Sequence, residues 1–149
     1  MFEKWIIYAL AASILWGASY AASGPIFRSG VTPLVFYFFY SLIGIFTAAM
    51  ILLFRGKGLS SLFQVRELGI SNMMWFLFSL LTASFGGLVT YMAIEAKNPT
   101  LATLIEISYP LFVIVFGWLF FREFQLNLMT FIGGTFVMMG VILIMKNAR

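Results

Sequence analysis

One stretch of this sequence reads Leu101-Ala-Thr-Leu-Ile-Glu-Ile-Ser-Tyr-Pro-Leu-Phe-Val-Ile-Val-Phe-Gly-Trp-Leu-Phe-Phe121. It is long enough to cross the hydrocarbon core of a bilayer, which takes about 20 apolar residues in a helix. A single carboxylate, Glu106, lies inside it, and a charge at such depth costs about 2.5 to 3.5 kcal/mol on insertion scales. We therefore expect a membrane-spanning helix whose acidic residue has a partner or a use.

The composition of the whole chain also indicates a membrane protein. Of its 149 residues, 62% are hydrophobic and 9% are charged, whereas soluble domains carry about 25% charged residues. The sequence contains no Asp, His or Cys, which excludes disulfides, thiolate nucleophiles and histidine metal ligands. The net charge of +4 is spread over short loops, which is typical of topology signals and not of nucleic-acid binding. We predict a lipid-embedded protein that is not an enzyme and has no metal, cofactor or nucleic-acid partner.

Five separate apolar runs predict five transmembrane helices, because helices satisfy their own backbone hydrogen bonds in lipid. The runs are Trp5–Phe27, Pro33–Phe54, Asn72–Ile94, Pro99–Phe121 and Gln125–Met145. Asn98 is a natural N-cap for the fourth helix. The longest connection, Arg55–Ser71, predicts a short turn at the membrane interface. The predicted fold is an all-α polytopic membrane bundle of five transmembrane helices, in a single domain covering residues 1–149.

Glu106 and Pro110 are the most informative pair in the fourth run. Proline has no N–H, so Pro110 cannot donate to the carbonyl of the residue four positions earlier, which is Glu106. Such a carbonyl is tolerated at membrane depth only where protein, water or a ligand satisfies it. Glu106 is then either a protonated acid that hydrogen-bonds a neighbouring helix or a carboxylate that binds a cation or exchanges a proton. An intramembrane acid favours the functional interpretation.

Several aromatic side chains lie deep in the predicted spans. A buried tyrosine hydroxyl needs a hydrogen-bond partner, so each could simply bond a neighbouring backbone carbonyl. Taken together with Glu106, however, they indicate a polar cavity that water or substrate can enter. The predicted site for substrate and proton therefore consists of Glu106, Tyr109, Pro110, Trp16, Tyr20 and Tyr40.

Short motifs in the first, fourth and fifth runs occur in the order typical of a known transporter family. They are Trp16-Gly-Ala-Ser-Tyr20 with Pro25, Ile107-Ser-Tyr-Pro-Leu-Phe112 with Phe121-Arg-Glu123, and Ile132-Gly-Gly134 with Gly140-Val-Ile-Leu-Ile144. On these motifs the chain resembles the EamA-like family of the drug/metabolite transporter superfamily. Many members carry a basic residue in the second helix, where this chain has Tyr37 or Tyr40, and that departure disfavours an anionic substrate.

The resemblance implies a half-size transporter. The usual member of the family has ten helices in two five-helix repeats of opposite orientation, and this chain is similar to one repeat, one half of an inverted-repeat transporter. We expect it to act as a homodimer in the cell's inner membrane and to move a small metabolite or organic cation by alternating access, coupled to protons through Glu106. The alternatives are a non-transporting membrane subunit, a scaffold for a partner half, or a lipid-headgroup flippase.

The positive charges leave the orientation of the chain nearly balanced. With five spans, one side holds Lys4, Arg55, Lys57, Arg66 and Arg122, and the other holds Arg28, Lys97, Lys146 and Arg149. Orientation follows the Lys/Arg bias, and five against four is almost no bias. The chain could therefore insert both ways and pair antiparallel, or insert with its N-terminus in the cytoplasm and pair with a separate half.

Overall fold

The computed structural model of this chain describes residues 3–54, 58–123 and 127–147. Its long helices are α1, α2 and α3, followed by a fourth span in three pieces and a last helix, α6. Their bounds are α1 Lys4–Arg28, α2 Pro33–Phe54, a 3₁₀ helix at Leu59–Glu67, α3 Ile70–Ala96, α4 Pro99–Glu106, α5 Tyr109–Phe116, a π-helix at Gly117–Phe121 and α6 Leu128–Asn147. Within these ranges, five helical segments are long and apolar enough to cross a membrane.

The predicted all-α fold of five spans is confirmed, and most helix ends lie within two residues of the predicted ones. The second helix has the predicted bounds, and α1 and α3 are slightly longer than their apolar runs. The Asn98 side chain accepts a hydrogen bond of 2.8 Å from the backbone N–H of Leu101, so the predicted N-cap is confirmed. The predicted start of the last helix, Gln125, lies outside the described residues.

The fourth span differs from the single α-helix that its hydropathy predicts. Helix α4 ends at Glu106, and α5 begins at Tyr109. Between them the backbone tightens, with Ser108 N–H donating to the carbonyl of Ile105 and Leu111 N–H donating to the carbonyl of Ser108. The cause is Pro110, which lacks an N–H and whose ring clashes with the carbonyl four residues before it.

The same span ends in a π-helix, Gly117–Phe121, which the sequence pattern did not predict. Arg122 follows in the left-handed conformation, with φ of 57°. Its N–H donates to the carbonyl of Trp118, and the N–H of Glu123 donates to the carbonyl of Gly117. The bond from Arg122 is that of the αL motif, and both bonds satisfy carbonyls that a helix end leaves without intrahelical partners.

The connection between α2 and α3 contains a 3₁₀ helix in place of the predicted turn. Leu62 and Phe63 are exposed on it, and the guanidinium carbon of Arg66 lies 4.7 Å from the centre of the Phe63 ring. The boundary between lipid tails and headgroups accommodates apolar side chains that lie beside a cationic one. The position and chemistry of this segment thus agree with an interfacial location.

The described residues fall into two compact units, which divide at points within α1 and α3. One unit comprises Ile26–Met92, and its centre is Tyr91, which is 1% exposed. The rings around Tyr91 belong to Phe27, Phe36, Tyr37 and Tyr40, with centroids 4.9 to 6.5 Å from it. Edge-on and tilted ring contacts at these distances stabilise an aromatic core beyond the area they bury.

The other unit comprises Met1–Pro25 and Ala93–Arg149. Here α4 packs against α6, and a Cβ on Gly134 would lie 3.6 Å from Cδ2 of Leu111, so a small residue suits this contact. Ser23, Ile94 and Val141 are buried. The prediction of one domain for the whole chain stays a prediction.

Most large apolar side chains of the spans are exposed, for example Phe54 at 83%. A soluble monomer rarely shows contiguous apolar patches of more than a few hundred Å². Lipid removes such side chains from water, so the exposed apolar surface agrees with five membrane-spanning segments and a multi-pass membrane protein.

Candidate functional site

Glu106 holds a position that no other charged residue in the five spans shares. The remaining charged residues of the spans, Lys4, Arg28, Glu95 and Lys146, each lie at the end of a span or one residue from it. Glu106 is the eighth residue of the span Pro99–Phe121, about 10 Å from its start at 1.5 Å per residue. As a whole residue, Glu106 is half-buried. It is the one acid of the described spans that the hydrocarbon region would enclose.

A tyrosine from the first helix contacts this carboxylate. The hydroxyl of Tyr20 donates to Oε1 of Glu106 over 3.3 Å, although the two residues are 86 positions apart in sequence. The ring of Tyr20 stacks on that of Trp16, with centroids 5.4 Å apart and planes at 30°. All three residues belong to the same compact unit. The structure thus brings together Glu106, Tyr20 and Trp16 of the predicted site residues.

The helix end at Glu106 adds a further electrostatic feature. The carbonyls of a helix point toward its C-terminus, which behaves as about half a negative charge. Because α4 ends at Glu106, this partial charge and the carboxylate occur at the same point of the span. Unwound backbone and half-helix C-terminal ends coordinate cations in membrane transporters. The arrangement favours a proton or another cation over an anion.

Tyr109 and Pro110 lie just beyond this helix end. Pro110 interrupts the helix and so shapes the backbone beside Glu106. Its predicted role in binding stays a prediction. Tyr109 is the first residue of α5 and is 61% exposed. The predicted role of Tyr109 as a cavity wall stays a prediction.

Tyr40 belongs to the other compact unit, Ile26–Met92. Its ring lies 6.0 Å from that of Tyr37 and 6.0 Å from that of Tyr91, in the aromatic core described above. These contacts give Tyr40 a packing role. Its predicted place beside Glu106 stays a prediction.

The sequence analysis did not predict the roles of two residues in this unit, one at the centre of the aromatic core and one that contacts it. Tyr91, the buried centre, lies near the end of its apolar run, where an aromatic residue is equally typical of a membrane interface. Ser84 forms a hydrogen bond of 2.6 Å with the hydroxyl of Tyr37. Its only signal in the sequence is a small polar residue within an apolar span, a pattern that also occurs wherever helices pack closely.

The described residues offer no group of three or more acidic, histidine or cysteine side chains that could hold a metal ion. The groups that the described contacts bring together at Glu106 are a carboxylate, a phenol hydroxyl and an indole ring. These groups can take up a proton, bind a cation, or stack on a flat ligand.

Comparison with known proteins identifies the family. The EamA-like transporter family model matches residues 3–146, nearly the whole chain. No curated protein and no solved structure matches it. The members of this family are membrane transporters and not enzymes, which agrees with five apolar helices and a carboxylate inside one of them. The chain belongs to the EamA-like transporter family, within the drug/metabolite transporter superfamily.

Proposed function

We propose that this chain is a half-size secondary transporter, coupled to protons through Glu106. It moves a small metabolite or organic cation by alternating access and works as a homodimer in the cell's inner membrane. The observation that carries the proposal is the contact between Tyr20 and Glu106 within the spans, with an O···O distance of 3.3 Å. The family supports transport in general, and the carboxylate supports the coupling.

The length of this hydrogen bond bears on the two interpretations of Glu106. Hydrogen bonds between oxygens are most often 2.7 to 2.8 Å long, and those to carboxylates are shorter still. The bond from Tyr20 to Glu106 is about half an ångström longer than the usual distance between two hydrogen-bonded oxygens. By contrast, the bond between Tyr37 and Ser84 is 2.6 Å long. A long contact of this kind can give way to a proton or a ligand, which supports the functional interpretation of Glu106.

Substrate sites in transporters built from inverted repeats lie near the bilayer midplane, between the repeats. A chain with five spans supplies one repeat, so a second copy would complete the site. In the proposed cycle, Glu106 takes up a proton from one side of the membrane and releases it on the other. Substrate occupies the site in alternation with the proton, and this exclusion couples the two movements.

The test uses the purified chain in liposomes that contain a pH-sensitive dye and carry a proton gradient. A panel of small metabolites and organic cations is added, and release of protons is followed. We expect at least one compound to release protons from liposomes that contain the wild-type chain. Glu106→Gln keeps the side-chain volume but cannot ionise, and it should reduce this flux at least tenfold. The matched control is Glu67→Gln, an exposed acid of the connection between α2 and α3.

Equal fluxes in the wild-type chain and the Glu106→Gln variant would exclude the coupling role. If no compound moves protons or itself crosses the membrane, the chain is a non-transporting subunit or a scaffold for a partner half. The flippase alternative is tested in the same liposomes with fluorescent lipids. An impermeant quencher added outside would then remove the fluorescence of lipids from both leaflets and not only from the outer one. That result, without metabolite flux, would favour the flippase over the proposed transporter.

A further inference from the structure

The site at Glu106 contains more than a carboxylate. Trp16 and Tyr20 lie one helical turn apart on α1, their rings are stacked, and the hydroxyl of Tyr20 contacts the carboxylate. Trp16 is 44% exposed, and Tyr20 and Glu106 are half-buried. A ligand that enters along this pair would contact two aromatic rings and one acidic group.

We propose that the substrate is an organic monocation carrying an aromatic or apolar group, bound between the Glu106 carboxylate and the Trp16–Tyr20 ring pair. This inference rests on the proposed function and specifies its substrate class. The cationic head replaces the long hydrogen bond from Tyr20 to Glu106, and the attached group lies against the indole ring of Trp16.

Three features select such a ligand. The negative carboxylate and the C-terminal end of α4 repel anions and attract a cation. The faces of Trp and Tyr rings carry negative charge density and attract organic cations, with Trp the strongest of the aromatic side chains. The apolar surroundings strengthen both attractions, because the dielectric constant there is far lower than that of water. A neutral compound gains only the ring contact, and a small inorganic cation lacks the apolar group that would lie against the indole ring.

The binding test uses the chain in lipid nanodiscs and four probes that separate charge from aromatic surface. Phenyltrimethylammonium has both, tert-butylbenzene is its neutral isostere, tetramethylammonium has the charge alone, and benzenesulfonate has the opposite charge. Empty nanodiscs correct for partition into lipid. We expect saturable binding of phenyltrimethylammonium, at least tenfold tighter than that of tetramethylammonium, and no saturable binding of the other two.

Three variants assign this binding to the proposed groups. Glu106→Gln should weaken phenyltrimethylammonium binding at least 30-fold, and Trp16→Leu about tenfold. The control for the indole is Trp118→Leu, because Trp118 is also about half exposed but lies beside Arg122. Tyr20→Phe keeps the stacked ring and removes the hydroxyl that competes for Glu106. It should bind the cation at least as tightly as the wild-type chain, whereas a structural role for that hydroxyl would weaken binding.

Gel filtration identifies variants that fail to fold, and Trp16→Phe, which keeps an aromatic face, replaces Trp16→Leu in that case. Equal affinity for phenyltrimethylammonium and benzenesulfonate, or equal losses in the Trp16 and Trp118 variants, would overturn the inference. The proposed function is tested separately by proton flux. If metabolites drive a flux that depends on Glu106 but the cation does not bind, the chain is a transporter and this substrate class is wrong. If the cation binds in a way that depends on Trp16 but Glu106→Gln has normal flux, the site is correct and the coupling role of Glu106 is wrong.

Discussion

At the scale of single residues, two tyrosines of this chain show two uses of the same hydroxyl. Tyr37 forms a short bond with Ser84, at 2.6 Å, within a unit whose centre is aromatic. Tyr20 forms a long bond with Glu106, at 3.3 Å. The first geometry is typical of a contact that holds two helices together. The second is longer than most hydrogen bonds between oxygens, and the proposed function uses it as a contact that a ligand replaces.

The Tyr37–Ser84 contact predicts a measurable interaction energy in a double-mutant cycle. Hydrogen bonds between membrane helices average about 0.6 kcal/mol and reach about 1.7 kcal/mol. Because this bond is short, we expect Tyr37→Phe and Ser84→Ala to couple by about 0.5 to 1.5 kcal/mol in the free energy of unfolding. The measurement is denaturation in mixed micelles of the two single variants, the double variant and the wild-type chain.

Thr82→Ala is the control for this cycle. The hydroxyl of Thr82 donates to the carbonyl of Phe78 in its own helix, over 2.8 Å. It should therefore show additive effects with Tyr37→Phe. Additive effects of Tyr37→Phe and Ser84→Ala would mean that the contact does not stabilise the fold.

At the scale of elements, one residue, Pro110, accounts for the break between α4 and α5 in the fourth span. Pro110 removes one backbone donor, and the chain continues through two tighter bonds, from Ser108 to Ile105 and from Leu111 to Ser108. The consequence is that a helix end, with its partial negative charge, lies at Glu106 inside the span. Interruptions of this kind are common where transporters bind their ligands.

Replacing this proline should restore a continuous helix. Pro110→Ala supplies the missing N–H, which can donate to the carbonyl of Glu106. Hydrogen exchange over residues 103–112 should become slower, because more amides then take part in regular helical bonds. Pro99→Ala is the matched control, since Pro99 lies in the first turn of α4, where the N–H has no partner in the helix. Unchanged exchange in Pro110→Ala would show that tertiary packing, and not proline, interrupts the span.

At the scale of the whole molecule, the positive charges bear on orientation and pairing. Lys and Arg number five on one side of the five spans and four on the other. Of these, Arg55, Lys57 and Arg149 lie outside the described residues. With so small a bias, one or two charges decide the orientation. A chain that inserts both ways can form the antiparallel dimer that supplies two repeats of opposite orientation.

Dual orientation predicts partial labelling from outside the cell. Ser29 and Gln64 are exposed and lie beyond opposite ends of α2, and the chain has no cysteine of its own. Ser29→Cys and Gln64→Cys, made separately, should each react with an impermeant thiol reagent in only part of the population. Lysines added on one side should convert both patterns to all-or-none. Activity should then require a co-expressed copy that is fixed in the other orientation. Complete labelling at one site and none at the other, in the otherwise unmodified chain, would favour a parallel or mixed pair.

Much of this architecture depends on residues that are close in sequence and could therefore be predicted from the sequence. Span number and approximate ends follow from length and hydropathy, because lipid forces each span to satisfy its own backbone. The N-cap at Asn98 is also local, because its side chain accepts a hydrogen bond from the backbone N–H of Leu101, three residues later. The choice of Glu106 as a candidate site residue follows from the energetic cost of a charge within an apolar run.

The pairing of distant polar groups could be seen only in the folded chain. Tyr20 and Glu106 are 86 positions apart, and Tyr37 and Ser84 are 47 apart. No periodicity within one helix links such pairs, because they depend on which helix faces pack together. The same holds for Tyr40, whose described contacts are with Tyr37 and Tyr91. The spans and the acid within them follow from local sequence, because each segment must be stable in lipid. The contact between that acid and Tyr20 follows from helix packing, because contacts between distant residues form only when the chain is folded.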